Sequence, residues 1–444
     1  MTTDRSFTRR SFLKTLTTAA LASPFVTENM MARPPHTVLA HASFGAAGMA
    51  WEDLVQISNS GHVQLVAAAE VDLNRTSALR KRFPQTRVYQ DWRKLLDKEA
   101  KRLDSVNVST PDHMHAPIAM SAMQLGKAVY GEKPLTHDLY ETRRLTEYAR
   151  QRDLVTQMGI QIHSAREYKL AVALVQSGAI GKIKEVHSWV TRSWGDPAPR
   201  PDVSDPVPHG FAWDLWLGVC AKRPFIGNDY YHPATWRKRV DFGTGTLGDM
   251  ACHIFDPVVG SLHLGPPTSV RSEGPAPSEW NWPMDWCIHY EFPGTAYTAD
   301  KTVKVTWYNG ALKPPADIRA LLEGDDLPDN GSIFVGTQGT MVLPHISRPL
   351  LYPDKKYKDL KFPEITSDNH WGQFVAACLT GTPTSANFNY AGPLTETVLL
   401  GTVAARFPQT TLKWNAPALT FDLAAANHYI RRIYRRGWQV KGLF

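Results

Sequence analysis

The chain contains few cysteines and no closely spaced pair of them. Only four occur in 444 residues, Cys220, Cys252, Cys287 and Cys378, and none forms a Cys-x-x-Cys motif. The spacing therefore gives no sign of a zinc site or a redox dithiol, and we expect no metal. Buried free thiols are the simpler interpretation, although an oxidising compartment would allow disulfides whose pairing the sequence does not assign.

Long apolar runs and clusters of positive charge are also missing. No segment approaches the roughly 20 apolar residues of a membrane-spanning helix, so we expect a mature protein that is soluble and free of membrane. The net charge is +7. The first 14 residues include four positive side chains and one negative one, and without them the net charge falls by three, to +4. These residues are Arg5, Arg9, Arg10, Lys14 and Asp4. Without a basic patch, we expect no nucleic-acid partner.

The N-terminus carries a targeting pattern. Residues Thr8–Lys14 contain paired arginines followed by Ser-Phe-Leu-Lys, and a short apolar stretch, Leu16–Phe25, comes next. This arrangement is typical of a cleaved twin-arginine export signal, and the stretch is too short to span a bilayer. We therefore assign residues 1–32 to a signal and linker and predict a periplasmic or secreted protein.

Residues 33–157 read as a doubly wound α/β domain. A strand at His36–Ala42 leads through the turn Ser43–Gly48 into a helix at Met49–Ile57. This order matches the dinucleotide fingerprint G-x-G-x-x-G, with Ser43 in place of the first glycine and with Gly45 and Gly48 retained. Two of three glycines alone are a weak motif.

An acidic residue follows the second predicted strand. Val63–Val71 ends near Glu70, some 20 residues after the turn, where a carboxylate can accept hydrogen bonds from a ribose diol. A carboxylate there repels a 2′-phosphate, which favours NAD and leaves NADP as the alternative cofactor. A solvated strand end is the competing interpretation of Glu70.

The order strand, polar loop, helix, strand continues through residue 134, and a family pattern appears in it. The segments Asn107–Pro134, Met158–Gln161, Trp213–Gly218 and Phe388–Glu396 resemble the Gfo/Idh/MocA oxidoreductases, most closely their exported bacterial members. The resemblance implies a Rossmann domain followed, over residues 158–444, by an α+β domain with a large, open, mixed and mainly antiparallel sheet. It also implies a homodimer or homotetramer.

The resemblance further implies a catalytic constellation of Lys133, Asp249 and His253. Asp249 and His253 are four residues apart on a predicted helix, so both side chains share one face. In this scheme His253 removes a hydroxyl proton, Lys133 stabilises the substrate oxygen, and Asp249 aligns both. A helix with a satisfied core histidine is the alternative interpretation of this spacing alone.

Binding residues follow from the same segments. The cofactor set is predicted to comprise Ser43, Phe44, Gly45, Gly48, Glu70, Ser109, Thr110, Pro111, His115, Glu132, Lys133 and Gln161. The substrate set is predicted to comprise Lys133, His232, Trp236, Arg237, Asp249 and His253. His113 is a further candidate, and the aromatic residues between positions 189 and 236 suit either sugar stacking or ordinary core packing.

The predicted function is therefore NAD(P)-dependent oxidation or reduction at a CH–OH group of a sugar or sugar derivative. Since an exported enzyme has no evident supply of free NAD, we expect a tightly bound cofactor that is recycled within the catalytic cycle. Two alternatives stay open. One is a glycoside hydrolase or lyase that works through a keto-sugar intermediate, which the retained Lys133 disfavours, and the other is a non-catalytic sugar-binding protein.

Overall fold

The computed structural model describes residues 38–444, so the predicted export signal lies outside the described residues. Six parallel strands form the first sheet: β1 (Leu39–Phe44), β2 (Val63–Ala69), β3 (Arg87–Tyr89), β4 (Ser105–Val108), β5 (Ala128–Glu132) and β6 (Thr156–Gly159). Five helices connect them: α1 (Met49–Ser58), α2 (Ser77–Arg82), α3 (Trp92–Glu99), α4 (His115–Gln124) and α5 (Leu139–Gln151). The strand order β3-β2-β1-β4-β5-β6 confirms the predicted doubly wound domain.

The second sheet is large and mixed. Its nine strands run in the order β13-β12-β11-β7-β10-β9-β8-β14-β15, and β7 and β10 are its parallel pair. The strands are β7 (Ile183–Val190), β8 (Ser269–Glu273), β9 (Trp286–Pro293), β10 (Thr302–Asn309), β11 (Asn330–Gly336), β12 (Thr340–Pro344), β13 (Leu350–Tyr352), β14 (Thr411–Asn415) and β15 (Thr420–Phe421). The remaining pairs are antiparallel, which confirms the predicted sheet type.

Seven further helices accompany this sheet. They are α6 (Arg166–Gln176), α7 (Trp213–Leu217), α8 (Gly245–Leu262), α9 (Ala316–Ala320), α10 (Asp354–Tyr357), α11 (His370–Thr380) and α12 (Phe388–Ala404). No helix in residues 38–444 combines the length and apolar character needed to cross a membrane. All four cysteines are free thiols, as the simpler interpretation predicted.

Helix α8 lies between layers of the molecule. It contacts β7 and β10 of the second sheet and packs against α6 and α12. Nearly all of its side chains are buried, including Leu247, Ile254 and Phe255, as expected for a helix covered on every side. Each such side chain contributes about 1.5–3 kcal/mol of burial free energy, so the position of this helix is strongly determined.

Two late helices return to the first sheet. Helix α11 packs on α1 and β1, and α12 packs on α5 and β6 while also contacting β8. Arg143 of α5 forms an ion pair with Glu396 of α12 at 2.9 Å, and both side chains are largely buried. Consequently α12 joins the two sheets. This helix begins at Phe388 because Asn387 caps it, accepting hydrogen bonds from the amides of Asn389 and Tyr390.

Candidate active site

A cavity of about 270 Å³ opens at the carboxyl ends of the first sheet's strands. Ten of the twelve predicted cofactor residues line it: Phe44, Gly45, Gly48, Glu70, Ser109, Thr110, Pro111, His115, Glu132 and Lys133. Three of the predicted substrate residues besides Lys133 also line it: His232, Trp236 and Arg237. Ligands of open α/β sheets bind in this position, where the strand order reverses.

The glycine turn has the shape that a dinucleotide requires. Gly45 has φ of 105°, and a Cβ there would lie 2.7 Å from both the Ala50 Cβ and the Ser109 carbonyl oxygen. Gly48 has φ of 61° and precedes α1, whose first turn has no capping side chain. The amide groups at the start of α1 therefore remain open to an anion such as a pyrophosphate. The cavity fits a dinucleotide.

Ser43 and Glu70 stabilise this turn through hydrogen bonds to backbone groups. Ser43 is fully buried and does not line the cavity, and its hydroxyl donates to the Gly45 carbonyl oxygen at 2.7 Å. The Glu70 carboxylate accepts hydrogen bonds from the backbone amides of Ala46 and Asp72, both at 3.0 Å. Burial raises the pKa of Glu70. Both side chains thus fix the loop, and Ser43 does so without the direct cofactor contact predicted for it.

Two side chains beyond Glu70 extend the cavity. Arg75 lines it, with a guanidinium nitrogen 3.9 Å from the position of a Cβ on Gly48. His232 lies 3.2 Å from the Asp72 carboxylate and stacks on Phe211. His232 thus lines the cavity with Trp236 and Arg237 and also contacts the segment after β2, so its predicted role in the substrate set stays a prediction.

The loop after β5 presents Lys133. Glu132 receives hydrogen bonds from the Gln161 side chain at 2.8 Å and from the Lys133 amide at 3.2 Å, and burial raises its pKa well above the ordinary value. Gln161 does not line the cavity and acts on this carboxyl group instead. His115 lies between the carbonyl oxygens of Pro134, at 2.8 Å, and Thr110, at 2.7 Å, so it ties two of the cavity loops together.

Asp249 on α8 accepts hydrogen bonds from site residues of both parts of the chain. Lys133 Nζ donates to its Oδ1 at 2.8 Å and to its carbonyl oxygen at 2.6 Å, and Arg237 Nε donates to Oδ1 at 3.1 Å. Trp194 Nε1 donates to Oδ2 at 2.7 Å. Burial alone would raise the pKa of Asp249, but Lys133 and Arg237 outweigh it and hold this pKa well below its usual range.

His253 follows one turn later on the same helix. Its side chain is buried, and Nδ1 has no hydrogen-bond partner among residues 38–444. Burial and then the charge of Lys133 lower its pKa well below the ordinary value, so the ring is neutral at pH 7. No hydrogen bond joins it to Asp249, and the predicted alignment of the imidazole by Asp249 is therefore wrong. The carboxylate positions Lys133 and Arg237.

Three neighbouring side chains were not predicted. Arg192 lies 3.8 Å from the Asp249 carboxylate. The His345 ring is 6.0 Å from that of His253, and the Tyr168 hydroxyl lies 2.8 Å from His345 Nδ1. Arg192 follows β7, His345 follows β12, and Tyr168 lies on α6. Because only the tertiary fold brings these three residues together, no local sequence motif marks them. His113 is a packing residue between Trp216 and Phe242.

One group of metal-ligand side chains occurs within residues 38–444. Glu273, Cys287 and His289, on β8 and β9, have ligand atoms within 4.8 Å of one another. None of the three lines the cavity, so the site residues described above do not depend on this group.

The comparison with family models agrees with this geometry. Residues 42–160 match the family described as "Oxidoreductase family, NAD-binding Rossmann fold", the Gfo/Idh/MocA family. Residues 42–160 thus form the nucleotide-binding domain of the Gfo/Idh/MocA oxidoreductases. The match ends at Ile160, directly after β6, so it coincides with the first sheet.

Relatives of known activity match part of the chain. A levoglucosan dehydrogenase from Pseudarthrobacter phenanthrenivorans is 25% identical over 194 residues, which are 44% of this chain and 40% of that protein. An inositol 2-dehydrogenase from Saccharopolyspora erythraea is 30% identical over 157 residues, which are 34% of this chain and 46% of that protein. The alignments thus span less than half of each of these two relatives.

Solved structures extend the likeness to the whole fold. The WlbA dehydrogenase from Bordetella pertussis, solved with NADH and UDP-GlcNAcA, has a TM-score of 0.60 at 14% identity and covers 85% of this chain and 99% of its own. A levoglucosan dehydrogenase solved with NADH and L-sorbose has a TM-score of 0.59 at 16% identity, with the same coverage. Both solved structures therefore share the overall fold of this chain.

Proposed function

We propose that this protein is an NAD(P)-dependent oxidoreductase that acts on a CH–OH group of a sugar or sugar derivative. The contact between Lys133 and Asp249 is the observation that carries the proposal. It joins the end of β5, in the first sheet, to α8, which packs on the second sheet. This contact lies at one end of the cavity, and Gly45 and Gly48 lie at the other. A ligand in this cavity touches both parts of the chain.

The residues that would hold the dinucleotide are those at the glycine turn and the two following strand ends. The start of α1 would hold the phosphates, and Glu70, Arg75, Thr110 and Pro111 would hold the rest of the dinucleotide, since all four line the same cavity as Lys133. When bound, the nicotinamide supplies hydride transfer, and the protein supplies orientation and electrostatics. The acidic Glu70 favours NAD, while Arg75 beside it keeps NADP as the alternative to test.

Lys133 and His253 have separate roles in the proposed reaction. The Lys133 ammonium, held by Asp249, stabilises negative charge on the substrate oxygen as it develops. His253 is neutral and its Nδ1 is unpartnered, so its imidazole is in the protonation state that accepts a hydroxyl proton. Asp249 remains ionised and holds the lysine and Arg237 in place.

The printed activities of the relatives support a sugar or polyol substrate. Levoglucosan and inositol, the substrates that name these two relatives, both carry secondary hydroxyl groups on a ring. We therefore propose a cyclic polyhydroxylated substrate.

We also propose that the protein is exported and works with a retained cofactor. The paired Arg9 and Arg10 support export, and loss of the dinucleotide outside the cytoplasm is avoided if it binds at nanomolar Kd, a free energy of about −12 kcal/mol. Replacement of both arginines by lysine is expected to keep the protein in the cytoplasm, which cell fractionation checks. A homodimer or homotetramer is proposed as well, with light scattering as its test.

The experiment for the function has two parts. Native mass spectrometry of the purified full chain, followed by denaturation, is expected to release a nicotinamide dinucleotide. Absorbance at the reduced nicotinamide band should then rise when cyclic sugars and polyols are added to the loaded protein. If the protein neither releases nor binds a nicotinamide dinucleotide, the proposal is wrong. Turnover of chromogenic glycosides without a redox change would instead identify a hydrolase.

A further inference from the structure

The site around Asp249 contains more positive than negative charge. Lys133 and Arg237 lie 2.8 and 3.1 Å from the same carboxylate oxygen, and Arg192 lies 3.8 Å from the other one. Three cations thus surround one carboxylate. Two positive charges are left without a partner within this cluster.

The other acidic groups of this region do not balance them. The Asp112 carboxylate accepts hydrogen bonds from the Thr244 backbone amide at 3.0 Å and from the Thr244 hydroxyl at 2.6 Å. It interacts electrostatically with Lys133 and Arg237 but forms no ion pair with either of them. Burial raises the pKa of Glu132 well above its ordinary value, and the Gln161 side chain donates to this carboxyl group at 2.8 Å. Asp256, two turns after Asp249 on α8, is paired with His163 at 2.9 Å. The excess of positive charge therefore remains.

Two of the three cations, Lys133 and Arg237, are held in position. The Lys133 side chain is 13% exposed and that of Arg237 is 26% exposed. The Arg237 guanidinium lies 4.2 Å from the centre of the Trp236 ring and 5.6 Å from that of Trp194. Its Nε is used by Asp249, whereas its two terminal nitrogens have no hydrogen bond with residues 38–444. This planar pair of donors matches the oxygens of a carboxylate or of a sulfate or phosphate ester.

The dinucleotide does not supply the missing negative charge. Its phosphates fit the opposite end of the cavity, at Gly45, Gly48 and Arg75. The oxidised nicotinamide ring is itself positively charged and would add to the excess near Lys133. An anion at Arg237 must therefore come from the substrate.

We infer that the substrate is an anionic sugar, whose oxyanion binds the terminal nitrogens of Arg237 with Arg192 at the outer side. This inference rests on the proposed function and names the substrate class of the same site. The oxyanion completes the charge balance around Asp249, while Lys133 remains at the reacting hydroxyl. The shared chemistry is an oxyanion on a sugar ring, and a uronate, a sugar sulfate and a sugar phosphate each provide it.

The test compares charged and neutral sugars on the full chain loaded with dinucleotide. Glucuronate, glucose 6-sulfate and glucose 6-phosphate are each measured against glucose, by turnover and by quenching of tryptophan fluorescence, which Trp194 and Trp236 report. We expect at least one anionic sugar to bind roughly 10- to 100-fold more tightly than glucose, as one charge-assisted contact allows. The anionic sugar that binds most tightly identifies the oxyanion as a carboxylate, a sulfate or a phosphate.

Variants locate the preference. Arg237→Gln and Arg192→Gln are each expected to reduce the ratio of anionic-sugar affinity to glucose affinity by about tenfold or more. Arg192 is 60% exposed, so its variant stays informative if Arg237→Gln folds poorly. Arg82→Gln is the matched control and should leave this ratio unchanged. Arg82 is the last residue of α2, and its guanidinium also lies over an aromatic ring, that of Phe83.

The possible outcomes separate the two proposals. Binding or turnover of glucose at least as good as that of all three anionic sugars overturns the inference and leaves the oxidoreductase proposal intact. Tight binding of an anionic sugar, lost in Arg237→Gln, without any nicotinamide binding would support the inference and overturn the redox function.

Discussion

Lys133, directly after the fifth strand of the nucleotide-binding sheet, donates to both the side-chain and the main-chain oxygen of Asp249, at 2.8 and 2.6 Å. These two hydrogen bonds join residues 116 positions apart in sequence. Asp249 is therefore a positioning residue whose carboxylate is already saturated by the chain's own donors. The lysine is fixed before any substrate binds, and this is the arrangement that electrostatic catalysis requires.

Replacement of Lys133 by methionine tests this role. We expect kcat to fall roughly 10²- to 10⁴-fold, because the variant keeps most of the side-chain volume but loses the charge at the substrate oxygen. Dinucleotide affinity should change by less than about threefold, since the phosphates bind at the other end of the cavity. Lys304→Met, at an exposed position of β10, is the control. A kcat reduced by less than tenfold would contradict the assignment.

The acidic limb of the pH profile tests His253. Burial and the charge of Lys133 lower the pKa of His253 below its ordinary value of 6.5, so the ring accepts protons only as the pH falls well below neutrality. We expect protonation of His253 to leave kcat/KM unchanged above pH 6.5 and to decrease it at lower pH. His253→Asn should remove most of the activity. An acidic limb centred above pH 7 in the parent would show that another group is the base.

Gly45 tests the fit of the dinucleotide. An added Cβ would approach Ala50 and the Ser109 carbonyl oxygen to 2.7 Å, in a backbone conformation with φ of 105°. Gly45→Ala should therefore distort the turn and weaken dinucleotide binding at least tenfold, as calorimetry can measure. Gly61 has φ of 74° and nothing within 4 Å of its Cβ position. Gly61→Ala should cost about 1 kcal/mol of stability without affecting binding.

His41 gives a prediction about stability. Its ring is buried between the Ser105 hydroxyl, at 2.9 Å from Nδ1, and the side-chain oxygen Oδ1 of Asn107, at 3.1 Å from Nε2. Burial lowers the pKa of His41 from 6.5 to about 4, despite the Asn107 hydrogen bond that favours the charged ring. Since the unfolded chain binds the proton first, its contribution is full above pH 6.5 and is lost as the pH falls towards 4.

Denaturant unfolding across this pH range measures the effect. The free energy of unfolding attributable to His41 should decrease by roughly 3 kcal/mol between pH 6.5 and pH 4. In His41→Gln the decrease should be smaller by about that amount, and His428→Gln, at an exposed position, controls for loss of an imidazole. Equal decreases in the parent and His41→Gln would refute the prediction.

Local patterns were sufficient to predict most of the first sheet. The alternation of apolar strands with polar loops placed Gly45, Glu70 and Lys133 at strand ends, because carboxyl ends of parallel strands share one edge. The pair Asp249 and Lys133 was predicted to meet through the family resemblance, and the structure brings these residues into contact.

Other features depend on tertiary contacts that no local pattern records. The docking of α11 and α12 on the first sheet joins segments more than 200 residues apart, as the hydrogen bond from Phe388 to Thr156 illustrates. Arg192 and His345 reach the site only because β7 and β12 end beside α8. The contact of His232 with Asp72 likewise joins residues that are distant in sequence.

The central claim is that the cavity from Gly45 to Lys133 holds a nicotinamide dinucleotide. Titration of the full chain with NADH, followed by energy transfer from tryptophan, tests it most directly, because Trp92, Trp216 and Trp236 line that cavity. We predict saturable transfer that Gly45→Ala weakens at least tenfold and Gly61→Ala leaves unchanged. Absence of transfer from any tryptophan, in a folded protein that also binds no NADPH, would contradict the account.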